Sequence, residues 1–418
     1  MIRPAMPRCW VSAALEKASL AKVLIGLGRR AMRAQETSRL VQSLAIFYAA
    51  LFVLYGIQMP FLPVWLEAKD VDPGMIGIVL AAPIVARLLA VPVFMREADR
   101  HDAVRGALII CGFAAAAGYA LVGLSTGALL ILAAYALTSL ATTPQMPLAE
   151  TYALKELSAR KRVYGPVRLW GSFAFIGGNF VAGFAADVIP ARDLIWLIVA
   201  ASVLITFAAL ALPPMTPRVV EAGAAPPPRQ KLLRDAPFVA VIAAASLIQA
   251  SHAEYYGFSA LQWSAAGFDG TVIAALWALG VATEIVLFAL QSRLPPFFEP
   301  TVLLLTGACG AALRWIGMVF DPPAFVLAAL QPLHALSFGA THLGALMFLA
   351  RHAPPAQAAT AQGYLAVGSG VAMAGAMALS GVLYRDFGSA AYAAMALMAI
   401  AGGACGLVAH RLRREAPR

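Results

Sequence analysis

The chain has 418 residues, of which 61% are hydrophobic and only 12% charged, with a formal net charge of +10. Soluble domains carry about one quarter charged residues, so this composition excludes an ordinary water-soluble domain and points to a polytopic membrane protein. Four cysteines (Cys9, Cys111, Cys309 and Cys405) are too few and too scattered for a disulfide framework, and three of them sit in apolar runs as packing residues.

Residues 1–39 form a basic segment. Its apolar stretch WVSAALEKASLAKVL is interrupted by Glu16 and Lys17 and lacks the core and cleavage site of a signal peptide. It reads as a basic amphipathic helix on the inner leaflet, or as an over-long gene start with Met32 as the initiator. Crossing roughly 30 Å of hydrocarbon takes about 20 apolar residues. Twelve such stretches follow, at 40–66, 73–95, 105–124, 127–153, 164–187, 191–212, 236–260, 268–291, 300–318, 323–350, 356–383 and 388–410.

Lysine and arginine are distributed unevenly about these spans. Twenty-five lie in the two terminal segments and the loops after spans 2, 4, 6, 8 and 10, and only Lys69, Arg192 and Arg385 lie on the other side. This positive-inside bias predicts that both termini are cytoplasmic. The basic balance therefore reports topology and contact with lipid headgroups, not nucleic acid.

The polar stretch 213–235, rich in proline and alanine, reads as a cytoplasmic linker between a half at 40–212 and a half at 236–410, with a short basic tail at 411–418. The expected fold is all-α and membrane-integral, with twelve transmembrane helices in two six-helix halves. That is the layout of the major facilitator superfamily, whose substrate sites lie between the halves near the midplane.

A charge in the middle of a spanning helix costs about 2.5–3.5 kcal/mol even on the forgiving insertion scale, so such residues face a cavity or a partner. They are Arg87, Glu150, Arg168, Glu254, Glu284 and Arg314, joined by His252, His334 and His342. In YGPVRLWGSFAFIGGN, Arg168, Ser172, Phe175 and Asn179 fall on one helical face, a polar stripe suited to a cavity, and Trp170 is a candidate substrate stacker. Pro144 and Pro147 bend span 4 just before Glu150, so Glu150 and Arg168 are expected to meet, although Arg168 snorkelling at a helix end is the plain alternative. Arg87 reads equally as a cavity residue or a helix brace.

In span 10, Gln331, His334, Phe338, Thr341 and His342 share a face, and in span 7 Gln249, His252 and Tyr256 do the same. Imidazole exchanges protons near neutral pH, which suits coupling. A hydrogen-bonded packing role is the alternative for each histidine. Glu254 points away from its stripe and is a weaker candidate near the outer end.

The stretches YGPVRLWGSFAFIGG (164–178), ASHAEYYGFSALQW (250–263), LWALGVATEIVLF (276–288) and LHALSFGATHLGALMFLAR (333–351) resemble the phenylpropionate-permease branch of the major facilitator superfamily, which is related to lactose permease and the nucleoside–proton symporters. The resemblance runs over all twelve spans. It implies a proton symporter of the bacterial inner membrane, with aromatic carboxylates such as 3-phenylpropionate as substrates. It also implies that Glu150 and Arg168 match a substrate-holding pair, and that Glu284, Arg314 and His334 match coupling residues, with His342 beside them. One departure stands out: where lactose permease carries an essential proton-bearing glutamate, this chain has Ser337, so the proton must travel on Glu284 or a histidine. The superfamily's loop motif survives as MREADRHDA, in which Asp99 and Arg100 are expected to latch helix ends.

The expected activity is therefore secondary uptake of a small organic anion with protons, by a monomer in the bilayer, with no cofactor and no metal. Arg168, Arg314 or Arg87 could supply the cation for its carboxylate, and Arg314 and His334 count among the candidate substrate-binding residues as well as the coupling ones. A sugar or nucleoside symporter and a drug exporter remain open alternatives. A transport-dead sensor or a membrane enzyme is less favoured, because the sequence contains no HExxH, GxSxG or P-loop motif.

Overall fold

The structure, a computed structural model, describes residues 8–100, 103–215, 232–293, 295, 297–354 and 357–415. Among these residues it is all helix and turn. Helix α1 (Arg8–Ala68) runs unbroken from the basic segment into the first span, and α2 (Pro73–Arg100) and α3 (Val104–Leu124) follow. Most of the linker at 213–235 lies outside the described residues. Eleven apolar stretches are long enough to cross a membrane among the described residues, and the last, Thr360–Arg413, is 54 residues long. At about 1.5 Å per residue it is far too long for one crossing. It breaks at Gly388, whose φ of +56° favours a residue without a Cβ, into α14 (Ala358–Phe387) and α15 (Tyr392–Glu415). The chain therefore makes twelve crossings in two halves of six.

Three crossings are broken, each for a local reason. Span 4 divides into α4 (Ala128–Thr142) and α5 (Gln145–Ala159) at Pro144, which has no N–H to donate. Span 7 divides into α8 (Ala236–Ala250) and α9 (Ala253–Ala265) at Ser251 and His252. The carbonyls released there are taken up by side chains, with Ser251 Oγ donating to Ile248 O at 2.7 Å and His252 Nδ1 lying 3.2 Å from the same oxygen. Broken helices are tolerated in lipid only where freed backbone groups find such partners. Span 10 runs as α12 (Ala324–Leu330), a turn at Pro332, a π-helical stretch Ala335–Ala340, and α13 (Thr341–His352).

The remaining unbroken helices are α6 (Gly165–Val188), α7 (Ile195–Leu210), α10 (Gly270–Leu290) and α11 (Pro300–Val319). Large apolar side chains such as Leu129, Phe184 and Phe325 point outward, as a lipid-facing surface requires, while Trp65, Trp263 and Trp315 fill the interior.

The two halves lean together at one end, through α1 with α9, α2 with α14, and α6 with α10. Every hydrogen bond between the halves among the described residues lies there. Asp187 at the end of α6 accepts from Gly270 N at 2.5 Å, Thr271 N at 3.0 Å and Thr271 Oγ1 at 2.7 Å, so it caps α10 from the opposite half. One turn earlier, α6 crosses α10 at Gly183, where an added Cβ would run into Gly270 O and come within 2.8 Å of Ala274 Cβ.

Candidate functional site

The densest polar cluster lies in the second half, around Arg314, a fully buried residue of α11. Its guanidinium lies 4.2 Å from the centre of the Tyr255 ring and 4.8 Å from that of Trp315. Nη2 donates to Gln331 Oε1 at 2.6 Å, an oxygen that also accepts from Tyr255 OH at 3.2 Å. Nη1 lies 3.1 Å from His334 Nδ1. An arginine nitrogen can only donate, so Nδ1 accepts and the ring's hydrogen sits on Nε2. That nitrogen lies 3.5 Å from Glu284 Oε2, on α10. Arg314, His334 and Glu284 thus form a directed chain, in which the Glu284 side chain is 21% exposed and faces Arg168 of the first half across the space between the halves, the cleft.

His252 is oriented the opposite way. Its Nδ1 points at the carbonyls of Ile248 and Gln249, so it carries the hydrogen, and Nε2 accepts from Ser337 Oγ at 2.9 Å. The π-helical stretch turns Ser337 toward span 7, where the residue is fully buried. Above this pair the rings of His334 and Phe338 stack at 5.4 Å, and those of Phe338 and His342 at 5.9 Å. His342 is exposed at the cleft, and Tyr256 is half-buried against His252 at 5.5 Å. The side chain of Gln249 is half-buried, and its backbone oxygen is what meets His252.

Across the cleft, the first half presents Arg168. Its guanidinium lies 4.0 Å from the centre of the Phe52 ring and 6.0 Å from that of Tyr48, with Tyr164 nearby. Among the described residues no carboxylate lies within ion-pair distance of it. It is close enough to interact with the charges of Glu150 on its own side and of Glu284 on the other. The expected direct pair of Glu150 and Arg168 is therefore not formed, because the stacking on α1 draws the guanidinium aside. Arg87 is exposed on α2 and interacts electrostatically with Glu150 and Tyr55.

Other expectations need correction. Asn179 does not line the cleft: it is fully buried and donates from Nδ2 to Ala274 O at 2.8 Å, joining the halves at their closed end. Trp170 is 59% exposed and points away from the stripe. Ser172 is half-buried on the face of Arg168. Arg100 lies 4.0 Å from Glu97 of its own helix, with no contact to another helix among the described residues, and the side chain of Asp99 lies outside them. Glu254 does lie toward the closed end, but it is 1% exposed there, and neither oxygen has a hydrogen-bond partner among the described residues.

Reading charges alone passed over a second polar group in the first half. Tyr119 OH donates to Gln58 Oε1 at 2.7 Å, and Gln58 Nε2 donates to Tyr135 OH at 2.5 Å. Tyr48, Phe52 and Tyr55, one or two turns apart on α1, were equally hidden, since aromatic residues in spans usually pack or face lipid. A 330 Å³ crevice between the halves, lined by Phe61, Asp187, Phe268 and Asp269, lies at the closed end and brings no cation.

Comparison with known proteins gives this arrangement a family. Residues 41–395 match the model of the MFS_1 like family. The chain is 31% identical to a "Probable 3-phenylpropionic acid transporter" of Escherichia coli K12 over 377 residues, covering 85% of this chain and 94% of that protein. It is 27% identical to a maltose permease of Geobacillus stearothermophilus, covering 78% of this chain and 83% of the permease. In fold it resembles the nucleoside transporter NupG, with a TM-score of 0.77 at 15% identity over 89% of this chain and 99% of NupG. It also resembles a bacterial homologue of the lysosomal transporter Spinster in an occupied, inward-facing form, with a TM-score of 0.69 at 13% identity over 90% and 97% of the two chains. The chain belongs to the MFS_1 like family of major facilitator transporters: it is a multi-pass secondary transporter of the bacterial inner membrane that moves a small molecule, and not an enzyme.

Proposed function

We propose that the chain takes up a small aromatic carboxylate, of the 3-phenylpropionate type, together with protons by alternating access, as a monomer with both termini in the cytoplasm. The observation that carries this reading is the contrast between its two cleft arginines. Arg314 is fully buried and spends Nη1 and Nη2 on His334 and Gln331. Arg168 is half-exposed, rests on the Phe52 ring and has no carboxylate partner in reach among the described residues. Arg168 is thus the cation free to receive a substrate carboxylate, with Tyr48, Phe52 and Tyr55 on α1 as a platform for an aryl ring. A hydrogen bond to a charged group is worth about 1.5–3 kcal/mol, or roughly ten- to a hundredfold in affinity.

Glu284 is the proton acceptor in this reading. It alone of the Arg314–His334–Glu284 chain reaches the cleft, and His334 points its N–H at it. Substrate anion at Arg168 and proton at Glu284 then face each other across the cleft, so each lowers the electrostatic cost of the other. An anion crossing with more than one proton also draws on the membrane potential, about 2.3 kcal/mol per charge per 100 mV. The phenylpropionate transporter relative supports the substrate class, while the maltose permease relative supports the neutral-sugar alternative.

The test is uptake of labelled 3-phenylpropionate into proteoliposomes under an inward proton gradient, repeated with an uncoupler and with Arg168→Ala. The expected result is accumulation that collapses in both controls. Proton-driven uptake of maltose or a nucleoside instead, with none of the acid, would replace the carboxylate reading.

A further inference from the structure

We propose that Glu254 of α9 is a second proton-binding carboxyl, whose ionisation is tied to opening of the seam between α2 and α14. The inference extends the proton-coupled reading above but stands on separate geometry.

Glu254 is 1% exposed, and neither of its oxygens has a hydrogen-bond partner among the described residues. The helices around α9 bring it no counter-charge. Arg314 of α11 is committed to Gln331 and His334, and Arg385 of α14 to Asp386 and Asp72. Glu284 of α10 faces His334, Arg87 of α2 interacts with Glu150, and Glu67 of α1 is exposed. Asp321, beyond α11, accepts from Gln262 at 2.7 Å. The groups in electrostatic reach of Glu254 are Tyr384 of α14 and Tyr392 of α15. An ionised carboxylate without partner or counter-charge in such a place costs several kcal/mol, whereas a protonated one does not. In this conformation Glu254 therefore holds a proton.

Its surroundings resemble an unfinished polar site more than a core. The Tyr392 hydroxyl also has no partner among the described residues, and the one hydroxyl that neighbours the Glu254 carboxyl is that of Ser380, fully buried and turned toward the Met395 sulfur at 4.0 Å. Tyr392 stacks on Trp315 at 5.7 Å, next to Arg314, so this pocket abuts the coupling cluster. Its cover is the closed end. One turn past Glu254, a Cβ on Gly257 would meet Met377 Sδ of α14 at 3.0 Å and Leu80 Cδ1 of α2 at 3.4 Å. When the halves part at this end, α2 withdraws and water reaches the pocket. Hydration then stabilises the anion, while resealing requires the proton back. Protonation of Glu254 and closure of the seam are thus one linked equilibrium.

The test is infrared titration of the full-length chain in nanodiscs with no substrate added, so that its outcome is independent of whether 3-phenylpropionate is transported. Native protein is expected to show a protonated-carboxyl C=O band that is lost as the pH is raised. Glu254→Gln should lack this band and Glu284→Gln should keep it. Glu254→Asp, a milder change should Glu254→Gln not fold, should shift the band's frequency and midpoint. A band that never titrates, one that survives in Glu254→Gln, or one abolished by sodium at constant pH would overturn the proposal.

Discussion

Arg314 donates from Nη1 to Nδ1 of His334 at 3.1 Å, and this one bond decides what the imidazole does. With Nδ1 occupied, the ring's hydrogen is fixed on Nε2 and aimed at Glu284, 3.5 Å away. The histidine is a spacer with a set tautomer, and the carboxylate at the cleft is the group left to exchange with water.

Arg314→Lys tests this arrangement. A single ammonium does not reproduce the planar fork that serves Gln331 and His334 together, so the tautomer is released and one buried acceptor is left unpaired. Gradient-driven accumulation is expected to fall at least about tenfold, in line with about 1.5–3 kcal/mol for a hydrogen bond to a charged group. Substrate counterflow, which needs no net proton movement, should persist. The two assays run side by side on one preparation give the result.

Ser337 stands where the resemblance to lactose permease would have a proton-bearing glutamate, and here it donates to His252 Nε2 at 2.9 Å. Ser337→Ala should cost about 1 kcal/mol of thermal stability, through a buried nitrogen left without its donor. Proton-driven uptake should change by no more than a few-fold. Melting curves and initial rates check both halves of the expectation.

Asp187 holds the closed end shut by capping α10 from the other half through three hydrogen bonds. Because Asp187 is exposed, solvent competes for them, and Asp187→Ala should shift the equilibrium by only about 1 kcal/mol, or roughly fivefold, toward the state open at this end. A cysteine placed at Ala274, which is fully buried beside Gly183, reports that state by its alkylation rate. The rate should rise in the variant.

Gly183→Leu should do the same more severely. Its side chain would be driven into Gly270 and Ala274, so the closed end cannot form and net transport should stop. The cysteine at Ala274 should then be alkylated at close to the rate of an exposed thiol.

The twelve crossings and the Arg314–His334–Glu284 group were legible because charges and imidazoles in apolar spans are few and need partners. The stripe Arg168, Ser172, Phe175 and Asn179 was also real as a helical face, yet it was misread as uniformly cavity-lining. That face runs from the cleft to the crossing with α10, so Arg168 meets space while Asn179 meets the Ala274 carbonyl. Which part of a face is open depends on the tilt between the halves, which no periodicity encodes. The burial of Glu254 was hidden for a related reason: it leaves the stripe of Gln249, His252 and Tyr256, and it follows the break at Ser251 and His252 into a sealed pocket. The π-helical stretch at 335–340, which directs Ser337 to His252, is likewise invisible to a reading based on 3.6 residues per turn.

The central claim is that Arg168 receives a carboxylate. Calorimetric binding of 3-phenylpropionate and of its uncharged amide to the native chain and to Arg168→Ala tests it most directly. The account predicts that native protein prefers the acid by at least about tenfold, and that Arg168→Ala binds the two alike. Equal affinity of the native chain for acid and amide, or a preference for the acid that survives in Arg168→Ala, would contradict it.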